Sequence, residues 1–185
     1  MGEIILVTGG ARSGKSSFAE KVASNSERVL YVATGIAFQD DMEFQARIKK
    51  HQASRPKTWE TLEAFQGIPE YLNAHAKKYE VILLDCVTML VTNLFFQALG
   101  EQELTNSLAD KIETEIQSVV LEILLAGSKA DAKLLFVTNE IGLGVVPENK
   151  MTRIFRDIIG RVNQQIAAQS DEVYFVLSGI PKRWK

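Results

Sequence analysis

Short apolar runs alternate along this chain with longer amphipathic stretches, the rhythm of βα units rather than of a β-sandwich or a helical bundle. The runs predict strands at about 3–8, 29–34, 80–85, 133–138 and 172–178. Each holds several consecutive Val, Ile, Leu, Tyr or Phe residues, as parallel strands covered on both faces require. Thr58 to Leu62 reads as a sixth strand. The amphipathic stretches predict helices at 15–25, 41–53, 66–78, 87–98, 103–126 and 148–169. In the fifth, Leu104, Leu108, Ile112, Ile116, Val119 and Ile123 recur three and four positions apart and mark a core face. Gly127-Ser128-Lys129-Ala130-Asp131 reads as the turn into the next strand.

Composition narrows the class of protein. A length of 185 residues fits one domain, 1–185. The single cysteine, Cys86, excludes an internal disulfide framework and points to a reducing, cytoplasmic setting. With 21 basic and 23 acidic residues the net charge is −2, which argues against nucleic acid as a partner. No apolar run approaches the roughly 20 residues of a membrane span. Met1-Gly2-Glu3 leads straight into Ile4-Ile5-Leu6-Val7, without the basic start and long apolar run of a signal peptide, so no export is expected.

Candidate chemistry begins at the first strand. Ile4-Ile5-Leu6-Val7-Thr8 runs into Gly9-Gly10-Ala11-Arg12-Ser13-Gly14-Lys15-Ser16, and the helix pattern Ser17-Phe18-Ala19-Glu20-Lys21-Val22 follows. This is the strand, glycine loop and helix of a phosphate-binding loop. Gly9 and Gly14 let the backbone curl so that successive N–H groups converge on phosphate oxygens, to which the positive end of the helix adds its attraction. Lys15 supplies a point charge to the β- and γ-phosphates, and Ser16 is placed to offer its hydroxyl to magnesium. Sites of this kind draw a carboxylate from a neighbouring strand end to order magnesium through its water shell, and Val81-Ile82-Leu83-Leu84-Asp85 is such a strand. Burying a lone acid there is costly, which favours the metal-linked role for Asp85 over a helix N-cap.

Of the two histidines, His75 reads as a solvated helix position. His51 follows Arg47 by four residues and precedes Arg55 by four, on a helix that Asp40 and Glu43 would cap and Pro56 would end. Flanking guanidinium groups favour a neutral imidazole, which is a nucleophile, while the arginines would bind phosphate. A surface histidine on a basic helix face is the other reading of the same residues. Val137-Thr138-Asn139-Glu140-Ile141-Gly142-Leu143-Gly144 runs from a strand end into a loop, where ligands bind in open α/β sheets. Arg153, Arg156 and Asp157 fit a nucleotide contact, a subunit contact or a solvated face, and Asn163-Gln164-Gln165 fit a polar interface or a solvated face.

These strings together resemble the bifunctional adenosylcobinamide kinase / adenosylcobinamide-phosphate guanylyltransferase family of cobalamin assembly. Besides the loop, the matching pieces are Tyr31-Val32-Ala33-Thr34, Arg47-Ile48 with His51, Arg55-Pro56 with Trp59 and Thr61, and Val137-Thr138-Asn139-Glu140 with Val146-Pro147-Glu148-Asn149. Further along come Phe155-Arg156-Asp157, Gly160-Arg161-Val162-Asn163-Gln164 and Ser178-Gly179-Ile180-Pro181. The resemblance covers nearly the whole chain. Phe44 stands where the family commonly has Met, a packing change only.

The resemblance implies an α/β fold of the P-loop NTPase class, with a recombinase-like, mostly parallel sheet and helices on both faces. It implies that Gly9, Gly10, Ala11, Arg12, Ser13, Gly14, Lys15 and Ser16 bind the nucleotide phosphates and that His51 becomes covalently guanylylated. Ala33, Thr34, Gly35, Gln52, Ala53, Ser54, Arg55, Glu63 and Asp85 would line the guanine-nucleotide site. The implied substrates are adenosylcobinamide and its phosphate with GTP or ATP, the cofactor Mg2+, and the assembly a homo-oligomer, a trimer. A single-function small-molecule kinase is one alternative, and a recombinase-like motor or nucleotide-gated binding subunit is a second, from another class.

Overall fold

A computed structural model describes residues 2–35 and 56–185 of the chain. Seven strands form one sheet: Ile4–Gly9 (β1), Val29–Ala33 (β2), Glu60–Glu63 (β3), Val81–Asp85 (β4), Lys133–Asn139 (β5), Glu172–Leu177 (β6) and Ile180–Arg183 (β7). Their order is β3-β2-β4-β5-β1-β6-β7, with β1 to β6 parallel and β7 antiparallel to β6. The helices are Lys15–Ala23 (α1), Ile68–His75 (α2), Val87–Leu99 (α3), Asn106–Ser128 (α4) and Lys150–Gln169 (α5), and α2 runs on into a short 3₁₀ turn, Ala76–Lys78.

The continuous apolar runs are apolar because both faces of the sheet are buried, and successive residues serve opposite sides. Leu6, Leu30, Val32, Ile82, Leu84, Leu134 and Phe136 pack under α2, α3, α4 and α5. Val7, Tyr31, Leu83, Leu135 and Val137 pack under α1, where they meet Ala19, Ala23 and Trp59.

Helix ends differ from the periodicity for local reasons. α4 begins at Asn106 rather than at 103, because the Thr105 side chain accepts from Leu108 N–H at 3.2 Å and caps the first turn. Leu104 therefore lies outside the helix while still packing against the core. Asn149 caps α5 in the same way, accepting from Thr152 N–H at 3.1 Å, so that helix starts at Lys150 rather than 148. The sixth expected strand sits slightly later than Thr58 to Leu62, at Glu60–Glu63. β7 carries no apolar alternation and lies outside the predicted strands; it exists because Ser178 and Gly179, at φ 50° and 81°, turn the chain back onto β6. The expected helix at 41–53 lies outside the described residues. His75 is half-buried, its ring 4.6 Å from that of Tyr71, rather than solvated. No helix among the described residues is long and apolar enough to cross a membrane.

Candidate functional site

Every parallel strand delivers its C-terminal end to the same edge of the sheet, and the candidates among the described residues gather there. β1 ends at Gly9, and the chain loops through Gly10 to Gly14 before entering α1 at Lys15. Gly14 has φ 95°, a left-handed conformation that glycine adopts without a Cβ penalty. A Cβ on Gly9 would sit 2.5 Å from the Val176 carbonyl oxygen and 2.7 Å from the Ser13 hydroxyl, so that residue also has to be glycine. Ala11 and Arg12 are exposed at the tip, and Ser16 is half-buried in the first turn of α1. Lys15 is buried at 8% exposure, and its Nζ donates to the Gly10 carbonyl at 2.9 Å, which folds the ammonium over the loop.

Within the loop, the Ser13 hydroxyl is buried with no hydrogen-bond partner among the described residues. An unpaired buried donor costs about 1–3 kcal/mol, and a phosphate oxygen is a fitting acceptor. The loop thus has the backbone curl, the buried cation and the spare donor that a polyphosphate requires.

The other candidates fall into one row. Ala33, at the end of β2, is the register partner of both Glu63, at the end of β3, and Asp85, at the end of β4. Asp85 shares a sheet face with Leu83, the face that α1 covers, and its Oδ2 accepts from the Tyr31 hydroxyl at 2.8 Å. Glu63 is exposed. Thr34 is fully buried, and its hydroxyl donates to the Cys86 carbonyl at 2.6 Å and accepts from Cys86 N–H at 3.0 Å. Its own carbonyl takes the Asn93 amide at 2.7 Å, so Thr34 joins β2 to the start of α3. Gly35 follows it, half-buried. His51, Gln52, Ala53, Ser54 and Arg55 lie outside the described residues, as do Asp40, Glu43 and Arg47.

Burial pushes the Cys86 thiol up to about 11; the Asp85 charge adds to the rise and Lys15 opposes it. A thiol so placed stays protonated at neutral pH and is no nucleophile. Among the described residues no three His, Cys, Asp or Glu side chains converge as a metal cluster. A magnesium ion at the loop would therefore take most of its ligands from phosphate and water, with Ser16 and Asp85 as the suited protein groups.

Four residues at this edge carry contacts that single-sequence patterns did not assign. Tyr31 orients Asp85. Its signal was a polar-tipped aromatic in an otherwise aliphatic strand. Thr88 and Asn163 hold the end of β5 through side-chain bonds. Gly179, in the β6–β7 turn, donates its N–H to the Ser13 carbonyl at 2.8 Å and so braces the phosphate loop from the far end of the sequence.

Residues 5–184 match the family described as cobinamide kinase / cobinamide phosphate guanyltransferase. The bifunctional adenosylcobalamin biosynthesis protein CobU of Escherichia coli is 45% identical over 177 residues, which are 96% of this chain and 97% of that protein. The bifunctional adenosylcobalamin biosynthesis protein CobP of Pseudomonas aeruginosa is 36% identical over 182 residues, 95% of this chain and 94% of that one. Among solved structures, a prototypical ATPase from the type III secretion system of pathogenic bacteria matches with a TM-score of 0.60 at 11% identity. That match covers 95% of this chain and 52% of the ATPase chain, a likeness of fold alone.

Proposed function

Because this chain belongs to the cobinamide kinase / cobinamide phosphate guanyltransferase family, we propose that it runs both reactions through the single phosphate loop Gly9 to Ser16. The observation that carries the reading is the meeting, on one sheet edge, of that loop, with Lys15 buried against it, and the Asp85 carboxylate. In the first reaction, the hydroxyl on the aminopropanol arm of adenosylcobinamide attacks the γ-phosphorus of ATP or GTP and the nucleoside diphosphate leaves. Lys15 offsets the charge that builds on the transferred group, and the N–H groups of the loop hold the phosphate oxygens. Magnesium, when bound by Ser16 and through water by Asp85, neutralises phosphate charge. Tyr31 keeps the Asp85 carboxylate in its orientation by donating to one of its oxygens.

In the second reaction, the His51 imidazole attacks the α-phosphorus of GTP and pyrophosphate leaves. The phosphate of adenosylcobinamide phosphate then displaces the histidine, giving adenosylcobinamide-GDP. The covalent intermediate divides one hard substitution into two easier ones. Arg47 and Arg55, four residues to either side, favour the neutral imidazole. Ala33, Thr34, Gly35, Gln52, Ala53, Ser54, Arg55 and Glu63 line the guanine side of the site. The alignment of Ala33 and Glu63 in one row with Asp85 supports that assignment. The enzyme works in the cytoplasm as a homotrimer, with no nucleic-acid partner.

The test is to incubate the protein with magnesium and GTP labelled at the α- or the γ-phosphate. Label from the α-position alone is expected on the protein, in a phosphoramidate bond that acid breaks and alkali spares. His51→Ala is expected to lose both label and guanylyl transfer while still phosphorylating adenosylcobinamide. Full labelling of that variant would move the nucleophile elsewhere and overturn the bifunctional reading of His51.

A further inference from the structure

β5 lies between β1 and β4, so no ladder bond joins the strand of the phosphate loop directly to the strand of Asp85. The end of β5 is therefore one link in the spacing between the loop and that carboxylate, beside the packing of α1 on β4. There the ladder gives way to side chains. Thr88, Thr138 and Asn163 are buried at 8%, 0% and 9% exposure, and buried polar groups are costly unless they are paired. Here they are paired with one another and with the backbone. The Thr138 hydroxyl donates to Asn163 Oδ1 at 2.7 Å and lies 3.4 Å from the Thr88 hydroxyl. Thr88 Oγ1 accepts from Asn139 N–H at 2.8 Å, and Asn163 Nδ2 donates to the Asn139 carbonyl at 3.3 Å. Both backbone groups of Asn139 are thereby held by side chains of α3 and α5.

The next residue makes the connection to the loop, since Glu140 N–H donates to the Gly9 carbonyl at 3.0 Å. On the other side, Thr88 follows Asp85 by three residues, in the first turn of α3. A continuous path of bonds therefore runs from Asp85 through Thr88, Asn139 and Glu140 to Gly9. An apolar trio would fill the same space without any pairing requirement but would leave the strand end free to shift along its axis. Hydrogen bonds, being directional, do not.

We propose that Thr88 and Asn163 are positioning residues which, by clamping Asn139, fix the separation between the phosphate loop and the Asp85 carboxylate. This rests on the reading of the loop and Asp85 as the magnesium–nucleotide site. Both side chains are buried and bonded to the end of β5, and each acts through it. A displacement of about 1 Å at a phosphoryl-transfer site costs on the order of a hundredfold in rate, so a modest loosening is measurable.

The test compares Thr88→Val, which keeps the shape and removes the hydroxyl, with Thr88→Ser, which keeps the hydroxyl. Binding of a fluorescent GTP analogue is titrated with and without magnesium, and kcat for cobinamide phosphorylation is measured alongside. Thr88→Val is expected to keep its metal-free affinity, to lose the gain in affinity that magnesium confers by about fivefold or more, and to lose about tenfold or more in kcat. Thr88→Ser is expected to restore both to within about twofold. A Thr88→Val protein with unchanged kcat and unchanged magnesium gain overturns the proposal, and so does a Thr88→Ser protein as impaired as Thr88→Val. If Thr88→Val does not fold, Asn163→Ala takes its place, with the same expected losses and the same overturning result. Asp85→Asn is measured in parallel. If it keeps the magnesium gain, the reading of Asp85 fails; if it loses the gain while Thr88→Val keeps it, only the present proposal fails.

Discussion

Lys15 sits 8% exposed with its ammonium on the Gly10 carbonyl, and an ammonium is held in so buried a place only where anions or carbonyls surround it. Because the same loop serves a triphosphate attacked at either phosphorus, Lys15→Ala is expected to depress kinase and guanylyl-transfer turnover alike. Loss of one charge-assisted contact to a developing phosphoryl charge costs a few kcal/mol, or about a hundredfold or more. Separate turnover assays check this, and both rates staying within about twofold of wild type would contradict it. Cys86 offers a pH-dependent counterpart. Its thiol is pushed from 9.0 to about 11, first by burial and then by the Asp85 charge. At pH 8 its alkylation by iodoacetamide should therefore be about a hundredfold slower than that of an unperturbed thiol, rising with pH toward 11. The same shift sets a sign for stability. The folded state holds the proton more tightly, so the contribution is complete below pH 9 and is lost as pH climbs through about 11. Melting temperatures followed across that window are expected to fall in the wild type more than in Cys86→Ala.

At the scale of elements, two glycines separate site geometry from packing. Gly14 caps α1 in the left-handed region, and a Cβ there would lie 3.2 Å from the Gly179 Cα in the β6–β7 turn. Gly14→Ala is expected to cost about 1–2 kcal/mol from the backbone alone. It should also weaken GTP binding, because the loop N–H groups turn away from the phosphate. Gly127, in the last turn of α4, lets that helix approach β5, since a Cβ there would lie 2.5 Å from Leu134 Cδ2. Leu134 is 1% exposed, so its side chain has to shift within the core, and with the helix propensity of alanine offsetting part of that strain Gly127→Ala is expected to destabilise by about 1 kcal/mol. Its GTP affinity should be that of the wild type. Denaturant melts paired with nucleotide titration distinguish the two; equal effects on both measurements would contradict the assignment of Gly14 to the site.

For the whole molecule, the outer edge of the sheet bears on assembly. β7 is exposed along its length, and Leu177, Ile180 and Trp184 present apolar side chains on or beside it, Trp184 at 74% exposure. Val145 and Leu143, in the loop after β5, are exposed at 94% and 79%. Apolar surface in such groups is commonly covered by another protein surface. The trimer proposed above is expected to appear in light scattering as a mass three times that of the 20.6 kDa chain. A monomer at micromolar concentration would exclude it.

The amino-acid sequence by itself determined the parts whose causes are local. The phosphate loop is eight contiguous residues between an apolar run and a helix, and its chemistry follows from their order. Six of the seven strands and all five helices in the described residues were legible to within a few residues because burial imposes a period on neighbouring positions. Asp85 stood out as an acid closing an apolar run. What only the tertiary structure decided was which distant residues meet. Tyr31 and Asp85 are 54 positions apart, Thr88 and Asn139 are 51, and Gly179 reaches Ser13 from the far end of the chain. β7 became a strand through pairing with β6, since its own four residues are all exposed and include Pro181. The order that places β5 between the loop strand and the Asp85 strand is set by side-chain packing across both sheet faces. Such contacts leave no periodic trace in any short stretch of sequence, because they are set by the whole sheet closing at once rather than by neighbours along the chain.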